Sequence, residues 1–300
     1  MSKLKLLLVS LAILFSHNLT LGQDSKDGKK ERSAVKSALN AFKFRSIGPA
    51  FMSGRIADIA IDPKNENVWY VAVGSGGVWK TENAGTTWTP LADNMPFYST
   101  GCITIDPHNN ASIWLGTGEN VGGRHVGIGH GIYHSSDGGK SWKDMGLKKS
   151  EHISKIIVHP DDPNTVWVAS QGPLWSPGGE RGLFKTTDGG KTWKNTLEIN
   201  EWTGVTDLVI DPNNPNILYA ASWQKHRNVA ALIGGGPGTS LYKSVDGGDN
   251  WSKIDKGLPK SNKGKIGLAI SPMQPNVLYA AVELDKRAGA VYRSDNSGGS

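Results

Sequence analysis

After residue 42 the chain alternates apolar and polar positions in short segments. The first clear pair of segments covers residues 59–61 and 68–72, with an Asp-Pro turn at Asp62 and Pro63 between them. The same pair recurs over residues 103–115, 156–168, 208–220 and 268–280. A period of two, interrupted by Pro, Asn and Gly, is typical of strands and not of helices. We therefore predict an all-β protein built from an internal repeat.

A second motif follows each strand pair and predicts a tight turn. Its pattern is Ser/Thr-x-Asp/Asn-x-Gly-x-Ser/Thr-Trp. The Asp or Asn side chain accepts hydrogen bonds from N–H groups just ahead, Gly permits a positive φ, and the Trp covers the hairpin. Since each Asp recurs at one repeat position, we assign it a structural role and not catalysis or calcium binding. The motif residues are Asn83 and Trp88, Asp137 and Trp142, Asp188 and Trp193, Asp246 and Trp251, and Asn296 in a fifth copy.

Each repeat unit reads as strand, turn, strand, loop, strand, turn, strand. Four strands in about fifty residues predict one blade of a β-propeller. The predicted blades cover approximately residues 50–95, 96–149, 150–200, 201–258 and 259–300, the last one incomplete. Two explanations of the fifth blade stay open. The chain is part of a larger propeller, which the break inside a motif favours, or residues 42–47 supply the outer strand of the last blade.

The first 41 residues precede the predicted propeller domain, which covers residues 42–300. Residues 1–22 combine Lys3 and Lys5 with an apolar run over 6–15 and small residues before Gln23. This layout is typical of a secretory signal peptide, and the run is short for a membrane span; an uncleaved anchor is the alternative. Residues 23–41 are charged, and we predict a disordered lead-in. The mature chain is then expected to be secreted, periplasmic or at the cell surface, with no transmembrane span.

Composition further narrows the classes of protein and of partner that the sequence allows. The 300 residues include 38 Gly, 11 Trp and one Cys, with a net charge of +6. A single Cys excludes a scaffold held by internal disulfides, and Cys102 in an apolar strand is expected to be buried. The basic excess is spread along the chain, so we expect no nucleic-acid partner. The eight His residues show no metal-ligand spacing, so no metal or cofactor is predicted.

The direction of the chain in a propeller blade separates two faces. The turn motifs lie on one face. The opposite face, here called the variable face, holds the loops between second and third strands and the connections between blades. The first set covers residues 74–77, 119–130, 171–181, 222–239 and 283–289, and the second covers residues 49–55, 92–100, 150–152, 200–204 and 259–264. Long loops on a rigid scaffold are where binding residues concentrate.

Three tryptophans and four arginines on the variable face are candidate ligand-binding residues. Eight of the 11 Trp occupy repeat positions and are expected in the core. The aromatic rings of the other three suit a sugar or a peptide side chain, although local loop packing explains each one equally well. Guanidinium groups suit a carboxylate. The candidates are Trp175, Trp202, Trp223, Arg55, Arg124, Arg181 and Arg227.

Two glutamates are the candidate catalytic residues. Glycoside hydrolysis generally requires two carboxyl groups on either side of the scissile bond. Glu119 and Glu283 each follow the second strand of a blade, and the sequence alignment of the repeats gives them equivalent positions. The alternative is that both are solvated loop acids.

The turn motifs resemble the Asp boxes, or BNR repeats, of sialidases. Residues 44–49, 53–56, 77–81 and 234–238 make the chain similar to the sortilin-like BNR propellers of secreted bacterial proteins, many of them called glycosyl hydrolases. A more distant resemblance to xyloglucanases implies a catalytic Asp two residues before a Gly-Gly pair in the first blade. That position is Gly74 here, and the second acid of the family would lie in a later propeller. The three Arg and the Tyr nucleophile of sialidases cannot be placed either.

These observations favour a secreted propeller that binds a protein, peptide or glycan through its variable face. A glycoside hydrolase that uses Glu119 and Glu283 is the alternative. A third hypothesis, an assembly factor like the propellers that help to build photosystem II, shares the repeat but has no discriminating residue in this sequence. The oligomeric state is left open.

Overall fold

The computed structural model describes residues 55–284 and 288–300. The predicted signal peptide, the lead-in and the candidate strand over residues 42–47 lie outside the described residues. Apart from one 3-10 turn over Lys148–Ser150, the regular elements of the described part are strands. The all-β prediction is therefore confirmed.

The strands form a series of antiparallel sheets, each following the order of the chain. The first sheet consists of β1 (Ile56–Ile61), β2 (Trp69–Val73), β3 (Gly77–Thr81) and β4 (Thr89–Pro90). The second consists of β5 (Thr100–Asp106), β6 (Asn109–Thr117), β7 (Ile132–Ser135) and β8 (Lys143–Asp144). The third consists of β9 (Ile153–Val158), β10 (Val166–Ser170), β11 (Gly182–Thr186) and β12 (Lys194–Leu197).

The fourth sheet contains an insertion that the repeat pattern does not predict. Its four strands are β13 (Thr203–Ile210), β14 (Leu218–Gln224), β17 (Leu241–Ser244) and β18 (Ser252–Ile254). Between β14 and β17 the chain forms a small separate hairpin of β15 (His226–Arg227) and β16 (Leu232–Ile233). The fifth sheet has three strands, β19 (Lys263–Ile270), β20 (Leu278–Leu284) and β21 (Gly289–Ser294).

The first strands of successive sheets contact one another, so these strands line the inside of the assembly. Carboxylates at one repeat position connect neighbouring sheets. Oδ2 of Asp58 accepts a hydrogen bond of 3.1 Å from the N–H of Ile103, and Oδ2 of Asp207 accepts one of 2.7 Å from the N–H of Leu268. This arrangement of four-stranded sheets is that of propeller blades. Contacts of similar extent that would close the ring between β1 and β19 are not seen among the described residues.

Apolar layers between adjacent sheets form the core. Every residue of β10 is buried, and Trp167, its second residue, has no exposed surface. The turn-motif tryptophans reach back to the preceding sheet, where Nε1 of Trp142 donates to Leu91 O at 3.0 Å and Nε1 of Trp193 donates to Met145 O at 2.7 Å. Each Trp therefore connects two blades as well as covering its own hairpin. Cys102 is buried, as expected, and burial raises the pKa of its thiol.

Trp88 departs furthest from the expectation that all eight repeat tryptophans lie in the core, because 39% of its surface is exposed, whereas Trp114 and Trp167 are buried and the other five are partly buried. It belongs to the first repeat, and its ring contacts Trp69 of its own sheet with centroids 6.4 Å apart. No preceding sheet covers it among the described residues.

The Asp residue of each turn motif holds the hairpin closed by several hydrogen bonds. Oδ1 of Asp137 accepts from the Ser135 hydroxyl at 2.8 Å and from the N–H of Ser141 at 2.9 Å. Oδ2 accepts from the Ser141 hydroxyl at 2.6 Å. These bonds, first those of the Ser141 hydroxyl and N–H and then that of Ser135, lower the pKa of Asp137 from its ordinary 3.8 to about 2. The structural role assigned to this position agrees with these contacts.

Asp137→Asn is expected to leave stability at pH 7 nearly unchanged but to flatten its dependence on acid pH. Asn83 already holds this position in the first repeat, with Oδ1 accepting from Thr87 N–H and Nδ2 donating to the Thr87 hydroxyl, both at 2.9 Å. The pKa of Asp137 is lower in the folded state than in the unfolded state. The stabilisation by its carboxylate is therefore complete above about pH 4 and is lost as pH falls towards 2.

Urea midpoints of the wild type and Asp137→Asn, measured from pH 7 to pH 2, check this prediction. The difference between the two proteins should grow in favour of the variant as the pH falls below 4. Asp161→Asn, at an exposed position of a strand-connecting turn, is the control and should follow the wild type. A variant curve parallel to that of the wild type would contradict the prediction.

Candidate functional site

The variable face brings together a group of mostly buried polar residues where the inner strands begin. We call this group the mouth cluster; it consists of Arg55, Glu119, Gln171, Trp223, Lys225 and Lys265. They come from all five sheets or from the loops beside them. The cluster therefore depends on the blade arrangement and not on any one segment of the chain.

Glu119 is a buried carboxylate with one cationic partner. Only 2% of its surface is exposed. Nη2 of Arg55 donates to both of its carboxylate oxygens, at 2.6 Å to Oε2. The backbone N–H of Glu119 lies 3.1 Å from the Ser99 hydroxyl oxygen and 3.2 Å from Gly127 O. Arg55 keeps 48% of its side chain exposed, so the ion pair has a buried anion and a solvent-facing cation.

Gly74 leaves the space that the Glu119 carboxylate occupies. A Cβ built on Gly74 would lie 2.2 Å from Oε1 of Glu119 and 2.9 Å from its Cδ. The backbone N–H of Gly74 also donates to Arg55 O at 2.7 Å, which brings the three residues together. A carboxylate from the second blade thus fills the side-chain space of position 74 in the first blade. The sequence does not indicate this contact between two blades, because the two residues are 45 positions apart.

Two lysine ammonium groups contact one indole ring, that of Trp223. Nζ of Lys225 is 5.3 Å and Nζ of Lys265 is 5.6 Å from the Trp223 ring centroid. Nζ of Lys225 donates to Oε1 of Gln171 at 2.6 Å, and Nζ of Lys265 donates to Asn120 O at 2.6 Å. Neither ammonium has an ion-pair partner among the described residues. The two lysine amines of the cluster are therefore bound by uncharged oxygens and by the indole ring, not by carboxylates.

Burial in the mouth cluster disfavours the charged forms of basic side chains. It lowers the pKa of Lys225 well below its ordinary value, with a further contribution from the charges of Arg181 and Lys265. Burial, followed by the charge of Lys225, also lowers the pKa of His152 to about 3. His152 is therefore neutral at physiological pH, and neither of its ring nitrogens has a hydrogen-bond partner among the described residues.

Glu283 lies near the cluster but not at the position that the sequence alignment gave it. Gly116 pairs with Cys102 and Ala281 pairs with Gly267, at equivalent places in their sheets. Glu119 is three residues beyond Gly116, whereas Glu283 is two residues beyond Ala281. The two glutamates are thus offset by one residue relative to the strand pairing. Glu283 is exposed, and its Oε2 accepts a hydrogen bond of 3.1 Å from the backbone N–H of Lys265.

Two of the expected ligand-binding residues have little contact with solvent. Arg181 is 4% exposed and donates to the backbone carbonyls of Gln171, Pro173, Ser176 and Gly178, so its guanidinium organises the 171–181 loop. Burial lowers its pKa to about 10. Trp223 is 5% exposed, and its Nε1 donates to Gly234 O at 2.9 Å. The exposure that the sequence predicts for these loop residues is absent because the long loops fold back on the blades.

The other candidate aromatics remain accessible to different extents. Trp175 is 43% exposed. Trp202 is half-buried, with its ring 4.0 Å from the His226 ring centroid and 6.0 Å from the Arg181 guanidinium. The structure brings Trp202 against two other residues of the variable face and leaves Trp175 at its surface.

The remaining two arginines connect the long loops of the second and fourth sheets. Nη1 of Arg227 donates to Gly122 O at 3.0 Å, and Nη2 of Arg124 donates to Val229 O at 2.5 Å. Arg227 is part of the β15–β16 hairpin, the insertion that the sequence did not predict. These contacts join loops from non-adjacent blades above the inner strands.

A small apolar cavity of about 150 Å³ lies away from this site, between the fourth and fifth sheets. Its lining includes Ile254, Leu258, Leu278 and Tyr292. It occupies the place at which turn-motif tryptophans pack in the preceding pairs of sheets, so we assign it to blade packing. In the described part of the chain, no group of three or more His, Cys, Asp or Glu is placed to hold a metal ion.

The fold, its turn motifs and the residues of the mouth define an Asp-box propeller. The family model described as "Sortilin, neurotensin receptor 3" matches residues 130–265. The resemblance to sortilin-like Asp-box propellers is thereby confirmed.

Curated relatives with higher coverage are xyloglucanases. A probable oligoxyloglucan-reducing end-specific xyloglucanase of Neosartorya fischeri is 24% identical over 242 residues, covering 74% of this chain and 26% of the relative. A xyloglucanase of Hypocrea jecorina is 23% identical over 297 residues, covering 89% of this chain and 34% of the relative. The chain thus spans about a quarter to a third of the length of these relatives.

Solved structures agree with the propeller fold. An ancestral GH74 enzyme superposes with a TM-score of 0.61 at 24% identity, covering 80% of this chain and 30% of that chain. The GH74 enzyme of Niastella koreensis gives a TM-score of 0.59 at 19% identity, covering 81% of this chain and 37% of that chain. At these identities the likeness concerns the fold.

Gly74→Ala is expected to destabilise the fold by about 1–3 kcal/mol, the usual range for inserting a carbon into a packed site. The new Cβ would displace the Glu119 carboxylate and weaken its contact with Arg55. Denaturant unfolding of Gly74→Ala, Glu119→Ala and the double variant checks this through a double-mutant cycle. Gly74→Ala should cost much less when Glu119 is already Ala. Equal costs in both backgrounds would contradict the packing described above.

Proposed function

We propose that this chain belongs to a glycoside hydrolase-related propeller that binds a xyloglucan-type polysaccharide across its variable face, with Glu119 as a catalytic carboxylate. The observation that carries the proposal is the Glu119 carboxylate in the side-chain space of Gly74. The resemblance to xyloglucanases implies an acid at position 74, and Glu119 would supply that acid from the neighbouring blade. The names of the curated relatives support the same substrate class.

The surroundings of Glu119 suit a general base more than a proton donor. Its oxygens accept hydrogen bonds from Arg55, and burial fixes its orientation. Arg55 reaches solvent, so a sugar hydroxyl or a water can approach the pair from the exposed side. A hydrolase requires a second carboxyl group. Glu283 is the candidate in this chain, since it accepts from Lys265, which also contacts the loop of Asn120 beside Glu119.

Binding without cleavage is the second candidate function. Trp175 and Tyr98 keep 43% and 65% of their surface exposed on the variable face, and such rings suit the apolar face of a sugar. Trp202, Arg55, Arg124 and Arg227 would line the same surface. A glycan would then be held by aromatic rings and guanidinium groups without use of Glu119 as a base.

We further propose that the protein acts outside the cytoplasm, on the basis of the signal-peptide pattern in residues 1–22. In the part of the chain that the structure describes, no helix is long and apolar enough to cross a bilayer.

Glu119→Gln is expected to lower hydrolysis of xyloglucan oligosaccharides by about 10²–10⁴-fold, because an amide cannot take a proton as the base does. Product release from the full chain, measured by reducing-end assay, checks this. Glu66→Gln, at an exposed turn on the opposite face, is the matched control and should keep the wild-type rate.

Two outcomes separate the candidates. Unchanged hydrolysis in Glu119→Gln would overturn the catalytic role. Saturable binding of the oligosaccharide by the wild type, with no product released, would favour the binding function over the hydrolase.

A further inference from the structure

A second cleft of about 620 Å³ lies between the fourth and fifth sheets, apart from Glu119. One wall is the Gly/Pro-rich segment around Gly236 and Pro237, and the other is the connection over residues 255–262. Its volume falls in the range of small-molecule and oligosaccharide sites. Neither proposed function uses this cleft.

The glycine-rich wall is held in place by close packing against neighbouring residues. A Cβ on Gly235 would lie 2.4 Å from Lys263 O, and one on Gly238 would lie 2.2 Å from the Thr203 hydroxyl oxygen. The N–H of Gly236 donates to Lys263 O at 3.2 Å. Glycine thus lets this segment lie directly against the start of β19, and the shape of the cleft depends on it.

The lining of the cleft is strongly cationic. It contains Lys253, Lys256, Lys260 and Lys263 but only one acid, Asp255. Asp255 forms a long ion pair of 3.5 Å with Lys253. The other three lysines have no carboxylate partner among the described residues. The cleft therefore keeps a net positive charge that a ligand can neutralise.

Lys263 is the residue that distinguishes this cleft from a solvated patch of surface lysines. It is 7% exposed, and its backbone carbonyl accepts a hydrogen bond of 3.2 Å from the N–H of Gly236, which holds it against the glycine-rich wall. Burial, and next the charge of Lys253, lowers its pKa. Because packing holds the side chain against the wall, its ammonium stays at the cleft, where an anion can pair with it.

The other residues that line the cleft favour an acidic ligand over a neutral one. Thr239, Ser261 and Asn262 supply hydroxyl and amide groups, and no aromatic side chain lines the cleft. Neutral sugars are generally held by stacking on aromatic rings, which this cleft does not offer. The lysines are spread over β18, the connecting loop and the start of β19, which suits charges repeated along a chain more than one concentrated phosphate.

We propose that this cleft binds an acidic polysaccharide, through uronate carboxylates contacted by Lys256, Lys260 and Lys263. The proposal does not depend on catalysis by Glu119. It assigns to the glycine-rich segment the role of shaping an accessory carbohydrate site on the variable face, apart from Glu119. Acidic peptides carry the same carboxylate chemistry, and the test below separates them from uronates.

Calorimetric titration of the full chain with oligogalacturonate, in the Glu119→Gln background, tests the proposal without interference from hydrolysis. The wild-type cleft should bind oligogalacturonate, with an affinity that falls as salt increases. Lys256→Ser/Lys260→Ser should weaken binding about tenfold or more, equivalent to about 1.4 kcal/mol. Lys263→Met, which keeps the aliphatic stem, should also weaken it.

Lys140→Ser/Lys191→Ser is the matched control, since it removes two exposed lysines from the turn-motif face. It should leave oligogalacturonate binding unchanged. An equal loss in this control would show non-specific attraction and overturn the proposal. Absence of oligogalacturonate binding, or tighter binding of poly-glutamate than of oligogalacturonate, would overturn it as well. An unaltered affinity for neutral xyloglucan oligosaccharides in Lys256→Ser/Lys260→Ser would support a separate site.

Discussion

The burial of the Glu119 carboxylate is the constraint on which this face of the propeller depends. A carboxylate removed from water without a partner is unfavourable by several kcal/mol, so both a cation and space must be provided. Arg55 provides the cation and Gly74 provides the space. All three residues can meet only if the first two blades lie side by side with their inner strands in contact. The ion pair of the site can therefore form only when these two blades pack together.

The same requirement explains why the long loops are ordered around the mouth. Glu119 begins the loop of the second sheet, and that loop is held by donors from other blades, including Gln171, Arg227 and Lys265. These donors are cations or amides that also need acceptors when buried, and backbone carbonyls of the loop provide them. Basic side chains outnumber acidic ones both here and in the cleft beside β19. A face on which basic side chains outnumber acidic ones is suited to oxygen-rich ligands, and carbohydrates belong to that class.

Much of the fold could be predicted from the sequence because each blade repeats local signals. The period-two segments, the Asp-Pro turns and motifs such as that of Asp137 fix strands and hairpins within about fifty residues. The insertion at β15–β16 has no counterpart in the other repeats, so the pattern could not predict it. The site was predictable only in part. Glu119 stands out as a loop acid, but its contact with Gly74 crosses two blades. Likewise, the burial of Trp223 results from loops that no local pattern determines.

A crystal structure of this chain with a bound xyloglucan oligosaccharide is the most direct measurement of the central claim. We expect the sugar at the mouth of the inner strands, with a hydroxyl or glycosidic oxygen about 3 Å from a carboxylate oxygen of Glu119, the usual hydrogen-bond distance. Arg55 should contact either the sugar or the carboxylate. An oligosaccharide bound on the turn-motif face, or one on the variable face with no atom near Glu119, would contradict the account.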